Sequence, residues 1–189
     1  TGGVDVGGDI VGGLPRVEEI FERRAPKSPA LVAEGDGLVT EIKTTDKENV
    51  LSLLVNEPIA GQTSFEYKLS RFRTILVKTG DKVKAGQIMT DGAVNLPELF
   101  RLGGKLAVED YVINAINNIY ELQSASISRK HLEIIIRQMF SRRRLKQAGD
   151  TNFEVGEIVE NVELMEANRE IKKKSGREAV GETVLLGIS

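Results

Sequence analysis

The sequence contains no cysteine, no tryptophan and 1 histidine among its 189 residues. Without cysteine, the chain forms neither disulfide bonds nor zinc sites with thiolate ligands, and its composition fits a reducing cytoplasm. It also lacks an apolar run approaching the roughly 20 residues of a membrane-spanning helix, and no signal peptide is recognisable. We therefore expect a cytoplasmic protein with no membrane partner.

An excess of positive charge is missing as well, because 26 lysines and arginines face 28 acidic residues. The formal net charge of −2 excludes a chain whose whole surface binds nucleic acid electrostatically, so any DNA contact has to come from a local patch. The hydrophobic share of 40% and the charged share of 29% are typical of a globular protein. The length suits one ordinary domain or two small ones.

The sequence offers no cluster of residues for metal or acid–base catalysis. Two-metal-ion chemistry needs closely spaced carboxylates, whereas the aspartates from Asp9 to Asp150 are scattered and lie mostly in turn contexts. His131, near a predicted helix start, has no carboxylate or cysteine at metal-ligand spacing. We interpret it as structural, and we predict no catalytic residue, no metal ligand and no cofactor.

A period-two pattern from Pro29 to about Thr90 predicts a small antiparallel barrel or sandwich. Tight turns are predicted at Gly80-Asp81 and Ala85-Gly86, within the short strands of residues 75–88. The other predicted strands are Ala30–Ala33, Leu38–Ile42, Val50–Val55 and Phe65–Leu69.

The run from Gly80 to Gln87 is also typical of biotinyl and lipoyl carrier domains, which share a barrel-sandwich fold. Such a domain presents a modified lysine on a hairpin shortly after this run. Residues 89–95 contain no lysine, and the lipoyl-like Thr45-Asp46-Lys47 precedes the run instead of following it. A carrier or adaptor domain remains the alternative function.

Three helical segments are predicted next, and the last two are expected to pack as an antiparallel pair across Ser124–Ser126. The first segment begins after a cap at Asn95 and ends at Gly103-Gly104, and a longer helix follows over residues 106–123. Ser128 is the predicted cap of a helix over 128–140. Its apolar residues recur at helical spacing, and Glu133 and Arg137 are suited to an i, i+4 ion pair. The apolar positions of this last helix are Leu132, Ile135, Ile136 and Met139.

The remaining C-terminal part mixes strands and a helix. Residues 157–174 predict a strand-to-helix passage, which Gly176 stops after three lysines, and residues 179–188 predict a final strand. The basic run from Ser141 to Lys146 is either a solvated surface or a patch that faces phosphates or a subunit.

The N-terminal region is a glycine-rich loop followed by a short helix. Residues 1–13 contain six glycines, which make backbone order costly, so we predict that residues 1–12 are mobile. The helix spans 15–24. Pro15 suits its first position, Glu18 and Glu19 suit the positive dipole end, and Arg23 and Arg24 suit the negative end.

The amino-acid sequence of residues 12–27, GGLPRVEEIFERRAPK, resembles the segment just after the trigger-loop tip in the largest (β′) subunit of bacterial RNA polymerase. Residues 1–3 resemble the threonine and glycines that follow the trigger-loop histidine. Residues 128–139, SRKHLEIIIRQM, are similar to that family's D-K-H-I-E-x-I-V-R-Q-M, and residues 185–189, LLGIS, to its LLGIT. The matches occur in the family's order along the whole chain.

The resemblance implies a non-catalytic portion of a DNA-directed RNA polymerase, the nucleotidyltransferase of transcription. It implies an α+β fold in three segments. Residues 1–27 are the second half of the trigger loop with its base helix, and residues 28–94 are the jaw, a barrel-sandwich hybrid. Residues 95–189 are a helical region with terminal strands. In the family, Mg²⁺ is held by an N-A-D-F-D-G-D motif that this sequence lacks, so the piece alone is expected to be inactive.

The resemblance also assigns site residues and partners. The expected partners are the rest of β′, other polymerase subunits and, weakly and without sequence preference, downstream DNA in the bacterial nucleoid. Arg71, Arg73 and Lys146 are further candidates for phosphate contact. No basic candidate has an obvious aromatic partner, so base readout is not expected. The predicted trigger-loop hinge and base are Gly2, Gly3, Gly12, Gly13, Pro15 and Arg16; the predicted DNA-binding residues are Arg23, Arg24, Lys27, Arg142, Arg143 and Arg144.

Overall fold

The computed structural model describes residue 13 and residues 15–188. This described part is α+β, with four helices and two antiparallel sheets and without a closed barrel. It forms two compact units. The first unit is Arg23–Asn114, and the second joins the described residues up to Glu22 to the residues from Ala115 onward.

The first unit is built on a four-stranded antiparallel sheet in the order β3-β2-β1-β4. Along β2, alternate residues such as Leu51 and Leu53 are fully buried, as the period-two pattern predicts. Ala60 and Gly61, both at positive φ (50° and 82°), join β2 to β3 in a two-residue turn. The strands are β1 (Gly37–Thr44), β2 (Glu48–Ile59), β3 (Gln62–Ser70) and β4 (Lys82–Val83).

One hydrophobic cluster lies against this sheet, and short irregular segments complete it. The predicted strand at Ala30–Ala33 forms no regular strand: Val32 makes a single antiparallel bridge to Ile88, with backbone hydrogen bonds between Ala33 and Gln87 and between Met89 and Leu31 on either side of it. The predicted turns at Gly80 and Gly86 are confirmed, with φ of 91° and 78°. The buried members of the cluster are Ala33, Val39, Leu51, Leu53, Val55, Val77, Val83 and Met89.

Helix α2 (Leu96–Leu122) is interrupted at Gly104, whose φ of 76° and ψ of −172° are not helical. The predicted break at the glycine pair is therefore confirmed. The predicted side-chain cap is wrong, because the buried Oδ1 of Asn95 has no hydrogen-bond partner and only its backbone carbonyl accepts, from the Leu99 amide at 3.0 Å. Val112 and Ile116 are fully buried, as their spacing predicts.

The second unit contains a three-stranded antiparallel sheet in the order β6-β5-β7. Helix α4 packs Leu164 against Leu145, Val159 and Ala179, so this unit has a small core of its own. The strand-to-helix passage predicted for 157–174 is confirmed. The elements are α3 (Arg129–Met139), β5 (Arg142–Gln147), β6 (Ile158–Glu160), α4 (Asn161–Lys173) and β7 (Val180–Thr183).

Several local predictions around α3 are wrong. Among the described residues, α2 and α3 do not make the extensive side-by-side contact of an antiparallel pair, and the chain between them passes through a left-handed Ser124 and an extended Ser128. Ser128 makes no side-chain cap. Glu133 pairs with Arg129, one turn earlier, at 2.9 Å, instead of with Arg137.

The ends of other elements also differ from the prediction. The basic run, for which no strand is predicted from the sequence, forms β5, and the final strand is only four residues long. Helix α4 ends with Ser175 in the left-handed region (φ 55°), while the Gly176 amide donates to the Ile171 carbonyl. A serine therefore takes the conformation that the sequence pattern assigns to the glycine.

Helix α1 comprises residue 13 and residues 15–21. Because residue 13 is already helical, Pro15 is not the first helical residue, although its place in the first turn leaves no hydrogen bond broken. The helix ends earlier than predicted, and Arg23 lies beyond it at a φ of 57°. Arg23 and Arg24 are thus outside the last turn in which the dipole argument puts them. The predicted mobility of residues 1–12 lies outside the described residues.

Candidate functional site

Helix α1 is fixed by buried contacts within the second unit. Ile20 is fully buried at the centre of its apolar face. At the start of the helix, a Cβ added to Gly13 would lie 3.0 Å from Ile119 Cγ2, so any residue other than glycine would require that side chain to shift. The helix is therefore packed at both its start and its middle.

The C-terminal segment holds the other end of α1. The Ile188 amide donates to the Phe21 carbonyl at 2.8 Å, and the Leu186 amide donates to the Met139 carbonyl at 3.0 Å. Between them, a Cβ on Gly187 would come within 2.6 Å of the Glu22 carbonyl oxygen, a distance that atoms in contact do not reach. Parts of all three segments that resemble the polymerase subunit therefore meet in this unit, namely α1, the end of α3 and residues 186–188. We call the contact of residues 186–188 with α1 and α3 the helix anchor.

The predicted hinge and base residues are only partly within the described chain. Arg16 is mostly covered, and its Nη1 donates to Glu19 Oε2 at 3.1 Å, within α1. Pro15 is exposed. Gly2, Gly3 and Gly12 lie outside the described residues.

The predicted DNA-binding residues fall into two sets in different units. Arg23, Arg24 and Lys27 are exposed and belong to the first unit. The run from Arg142 to Arg144 belongs to the second unit. Each set therefore lies on its own unit.

Within β5, strand geometry separates the cations. Arg142 donates from Nε to Glu160 Oε1 at 2.8 Å, and Lys146 lies 3.0 Å from Glu182. Arg143 turns back and donates to the Phe140 carbonyl at 2.8 Å. Arg144 is exposed, and no carboxylate of the described residues is within ion-pair distance of it. Arg144 is therefore the member of the run with the most available guanidinium.

The ion pairs shift the acids that take part in them. The Arg142 guanidinium, whose Nε donates to Glu160, holds the pKa of that carboxyl below its ordinary value. Hydrogen bonds from the Arg177 backbone and side chain likewise lower the pKa of Asp150. Both acids stay ionised at neutral pH, so neither is suited to proton transfer there.

Arg73, a further candidate for phosphate contact, is used by the fold. Its Nη1 donates to the Asp91 carbonyl at 2.7 Å, and its Nη2 donates to the carbonyls of Ser28 and Pro29 at 2.8 and 2.9 Å. Gly92 makes room for it, since a Cβ there would lie 2.1 Å from Nη1. The Arg73 guanidinium is therefore a staple between two loops, not a surface charge.

The expectation that no basic candidate has an aromatic neighbour is wrong. The guanidinium carbon of Arg71 lies 5.0 Å from the centroid of the Phe72 ring, and Phe72 is 82% exposed. The signal was present in the sequence as Arg71-Phe72-Arg73, but adjacent residues in a strand point to opposite faces. Only the turn in which they lie brings the two side chains together.

The described residues provide neither a metal-binding cluster nor a membrane-spanning helix. They hold no group of three or more histidine, cysteine, aspartate or glutamate side chains that could bind a metal ion. His131 is exposed, and its backbone amide donates to the Ser128 carbonyl. Within the same residues, no helix is both long enough and apolar enough to cross a bilayer.

Residues 32–180 match the sequence family described as RNA polymerase Rpb1, domain 5. The chain belongs to this family. It is also similar, over nearly its whole length, to proteins named DNA-directed RNA polymerase subunit beta'. The resemblance stated from the sequence is therefore confirmed, and the alternative of a carrier domain is not supported.

Three relatives illustrate the extent of the similarity. The subunit from Endomicrobium trichonymphae is 39% identical over 96% of this chain. Those from Desulforudis audaxviator (strain MP104C) and Clostridium botulinum (strain ATCC 19397 / Type A) are 37% and 39% identical over 100% of it. This chain spans only 11% of the first relative and 16% of the other two.

Proposed function

We propose that this chain is a non-catalytic portion of the β′ subunit of DNA-directed RNA polymerase and acts in transcription. The observation that carries the proposal is the similarity to β′ subunits over 96–100% of the chain. Its partners in this proposal are the rest of β′ and the other polymerase subunits, in the cytoplasm of a bacterium and at its nucleoid.

The helix anchor gives this portion a mechanical role. The loop that precedes α1 is the second half of the trigger loop in this proposal, and a loop that closes on a nucleotide needs one fixed end. The burial of Ile20 and the hydrogen bond from Ile188 to Phe21 support α1 as that fixed end. Gly2, Gly3, Gly12 and Gly13 would supply the hinge. The three-segment division of the chain, at 1–27, 28–94 and 95–189, belongs to the same proposal.

Residues 28–94 would be the jaw, a barrel-sandwich hybrid beside downstream DNA. The four-stranded sheet and the bridged segments around it are compatible with such a module. Contact with the duplex would be weak and made to phosphates, by the exposed cations Arg23, Arg24 and Lys27 and by the β5 run.

Catalysis would belong to other parts of the subunit. The chain lacks the N-A-D-F-D-G-D motif that holds Mg²⁺ in the family. The purified chain is therefore expected to synthesise no RNA on a DNA template, even when Mg²⁺ is supplied.

The anchor can be tested by Gly187→Ala in the complete β′ subunit, assembled into polymerase. The added Cβ has no space beside Glu22, so α1 should lose its C-terminal support and nucleotide addition should slow several-fold at saturating nucleotides. Hydrogen exchange of the Ile188 amide, which donates to Phe21, should become faster in the same protein.

Gly61→Ala is the matched control, because its Cβ would meet no atom within 4 Å. It makes the same chemical change at the hairpin turn and should leave nucleotide addition unchanged. Faster exchange at Ile188 together with a normal rate of addition would show that the anchor does not support the trigger loop.

A further inference from the structure

The turn after β3 is a rigid support for an exposed aromatic ring. The Arg73 amide donates to the Ser70 carbonyl at 2.9 Å, and the Phe72 amide donates to Ser70 Oγ at 3.3 Å. The side chain of Arg73 then ties this turn to Ser28 and Asp91. Phe72 therefore projects from a turn that is held on both sides.

One cation is already positioned beside the ring. The guanidinium of Arg71 lies 5.0 Å from the ring centroid, within the range of a cation–π interaction. Its Nη1 donates to the Asp46 carbonyl at 3.0 Å, which fixes the guanidinium against the neighbouring β1–β2 turn. Within the described residues no acceptor is assigned to Arg71 Nε or Nη2, so these donors are available to a ligand.

The surroundings of the ring suit a polyanion better than a protein partner. The core of a protein interface is a contiguous apolar patch with a polar rim. Here the chain neighbours of Arg71-Phe72-Arg73 are Ser70 and Thr74, and Lys47 and Lys68 are exposed on the adjoining turn and strand. Of the nearby carboxylates, Asp91 is paired with Arg73, while Asp46 and Glu48 flank Lys47. A lone ring among cations matches the platforms on which bases stack while cations hold the phosphates.

We propose that Phe72 and Arg71 form a binding site for single-stranded nucleic acid. One unpaired base stacks on the open face of the Phe72 ring, and the guanidinium of Arg71 binds the adjacent phosphate. The site is sequence-tolerant, because every base has a π face and no donor or acceptor of the protein reads a base edge. The proposal is independent of the helix anchor and of the jaw assignment.

The test is fluorescence anisotropy of the complete 189-residue chain with two labelled strands of equal length. One is oligothymidylate, and the other is an abasic strand with the same phosphates and no bases. The wild-type chain should bind oligothymidylate more tightly. Phe72→Ala should weaken that binding about ten-fold and abolish the difference between the strands, whereas Phe72→Tyr should preserve it.

Two further variants separate stacking from charge and from misfolding. Arg71→Gln should weaken binding of both strands and lower the dependence on salt by about 0.7 in the log–log slope. Leu106→Ala, at a side chain that is 74% exposed elsewhere, should change neither strand. If Phe72→Ala binds oligothymidylate as the wild type does, or if the wild type does not distinguish the strands, the proposal is wrong and the ring is left for a protein contact.

Discussion

Two arginine-rich stretches look alike in the sequence and differ in the structure. In residues 71–73 of the first unit, the guanidinium of Arg73 donates hydrogen bonds to backbone carbonyls of the same unit. In residues 142–146 of the second unit, the cations lie on a strand, and acidic residues of the neighbouring strands balance two of them. The first stretch presents an aromatic ring, and the second presents a single available arginine.

The difference shows that a basic run is not by itself evidence for a nucleic-acid surface. A basic run can bind phosphates only through the arginine and lysine donors that make no hydrogen bond or ion pair within the fold. Their number depends on acceptors that are distant in the sequence. Asp91 and Ser28 are 18 and 45 residues from Arg73. Glu160 is 18 residues from Arg142.

The largest loss of stability that tests this comparison is expected for a substitution at Leu145, which lies among the cations of β5. Its side chain is 1% exposed and belongs to the core of the second unit. Leu145→Ala should lower the free energy of unfolding by about 2–5 kcal/mol, measured by chemical denaturation. Ile158→Ala on the neighbouring strand is the control, because that side chain is 42% exposed and should cost less. Equal costs at the two positions would mean that β5 contributes no core.

The sequence predicted the sheet of the first unit well, because its strands carry a clear alternation of buried and exposed residues. It missed β5 for a physical reason. Arg142, Arg144 and Lys146 point to one side, and the other side offers only Arg143 and Leu145, so a single apolar residue marks the buried face. With three cations on one side and a single apolar residue on the other, the strand shows no alternation of hydrophobic and polar residues by which it could be predicted.

Local signals at the ends of helices were less dependable. Asn95 and Ser128 have the residue types of caps, yet neither side chain caps, and only the backbone carbonyl of each accepts from the first turn. The three segments that resemble the polymerase subunit could be recognised from the sequence, but the contacts between them could not be predicted. The contacts of Ile188 with Phe21 and of Leu186 with Met139 join residues that no local pattern relates.

The next effect concerns Arg73 and sharpens the contrast with its neighbour Arg71. Arg73→Ala removes the donor shared by three carbonyls, and water satisfies them only in part, so unfolding should become easier by about 1–2 kcal/mol. Arg71→Ala is the matched control, since it loses one hydrogen bond of an exposed residue and should cost under about 0.5 kcal/mol. Thermal denaturation of both variants measures the difference. A cost at Arg71 equal to that at Arg73 would contradict the assignment of Arg73 as the staple.

The smallest effect on stability, and the one that decides the role of β5, is expected at Arg144. Because it is exposed and has no carboxylate partner among the described residues, Arg144→Gln should change the free energy of unfolding by less than about 0.5 kcal/mol. If β5 contacts duplex phosphates, the same change should reduce the salt dependence of DNA binding by about 0.9 in the log–log slope. Arg142→Gln is the comparison, because that arginine is already paired with Glu160.

Compared with Arg144→Gln, the variant Arg142→Gln should change the salt dependence of DNA binding less, but it should clearly change the titration of Glu160. Arg142 lowers the pKa of Glu160 in the folded chain, so this pair stabilises the fold above the ordinary glutamate pKa of 4.5. That contribution is lost as the pH falls through the lowered folded value. In Arg142→Gln, the pKa of Glu160 followed by NMR should rise toward 4.5, while Arg144→Gln should leave it in place. Equal changes of the salt slope in the two variants would mean that pairing does not decide which cation reaches DNA, and no change in either would make β5 a solvated strand.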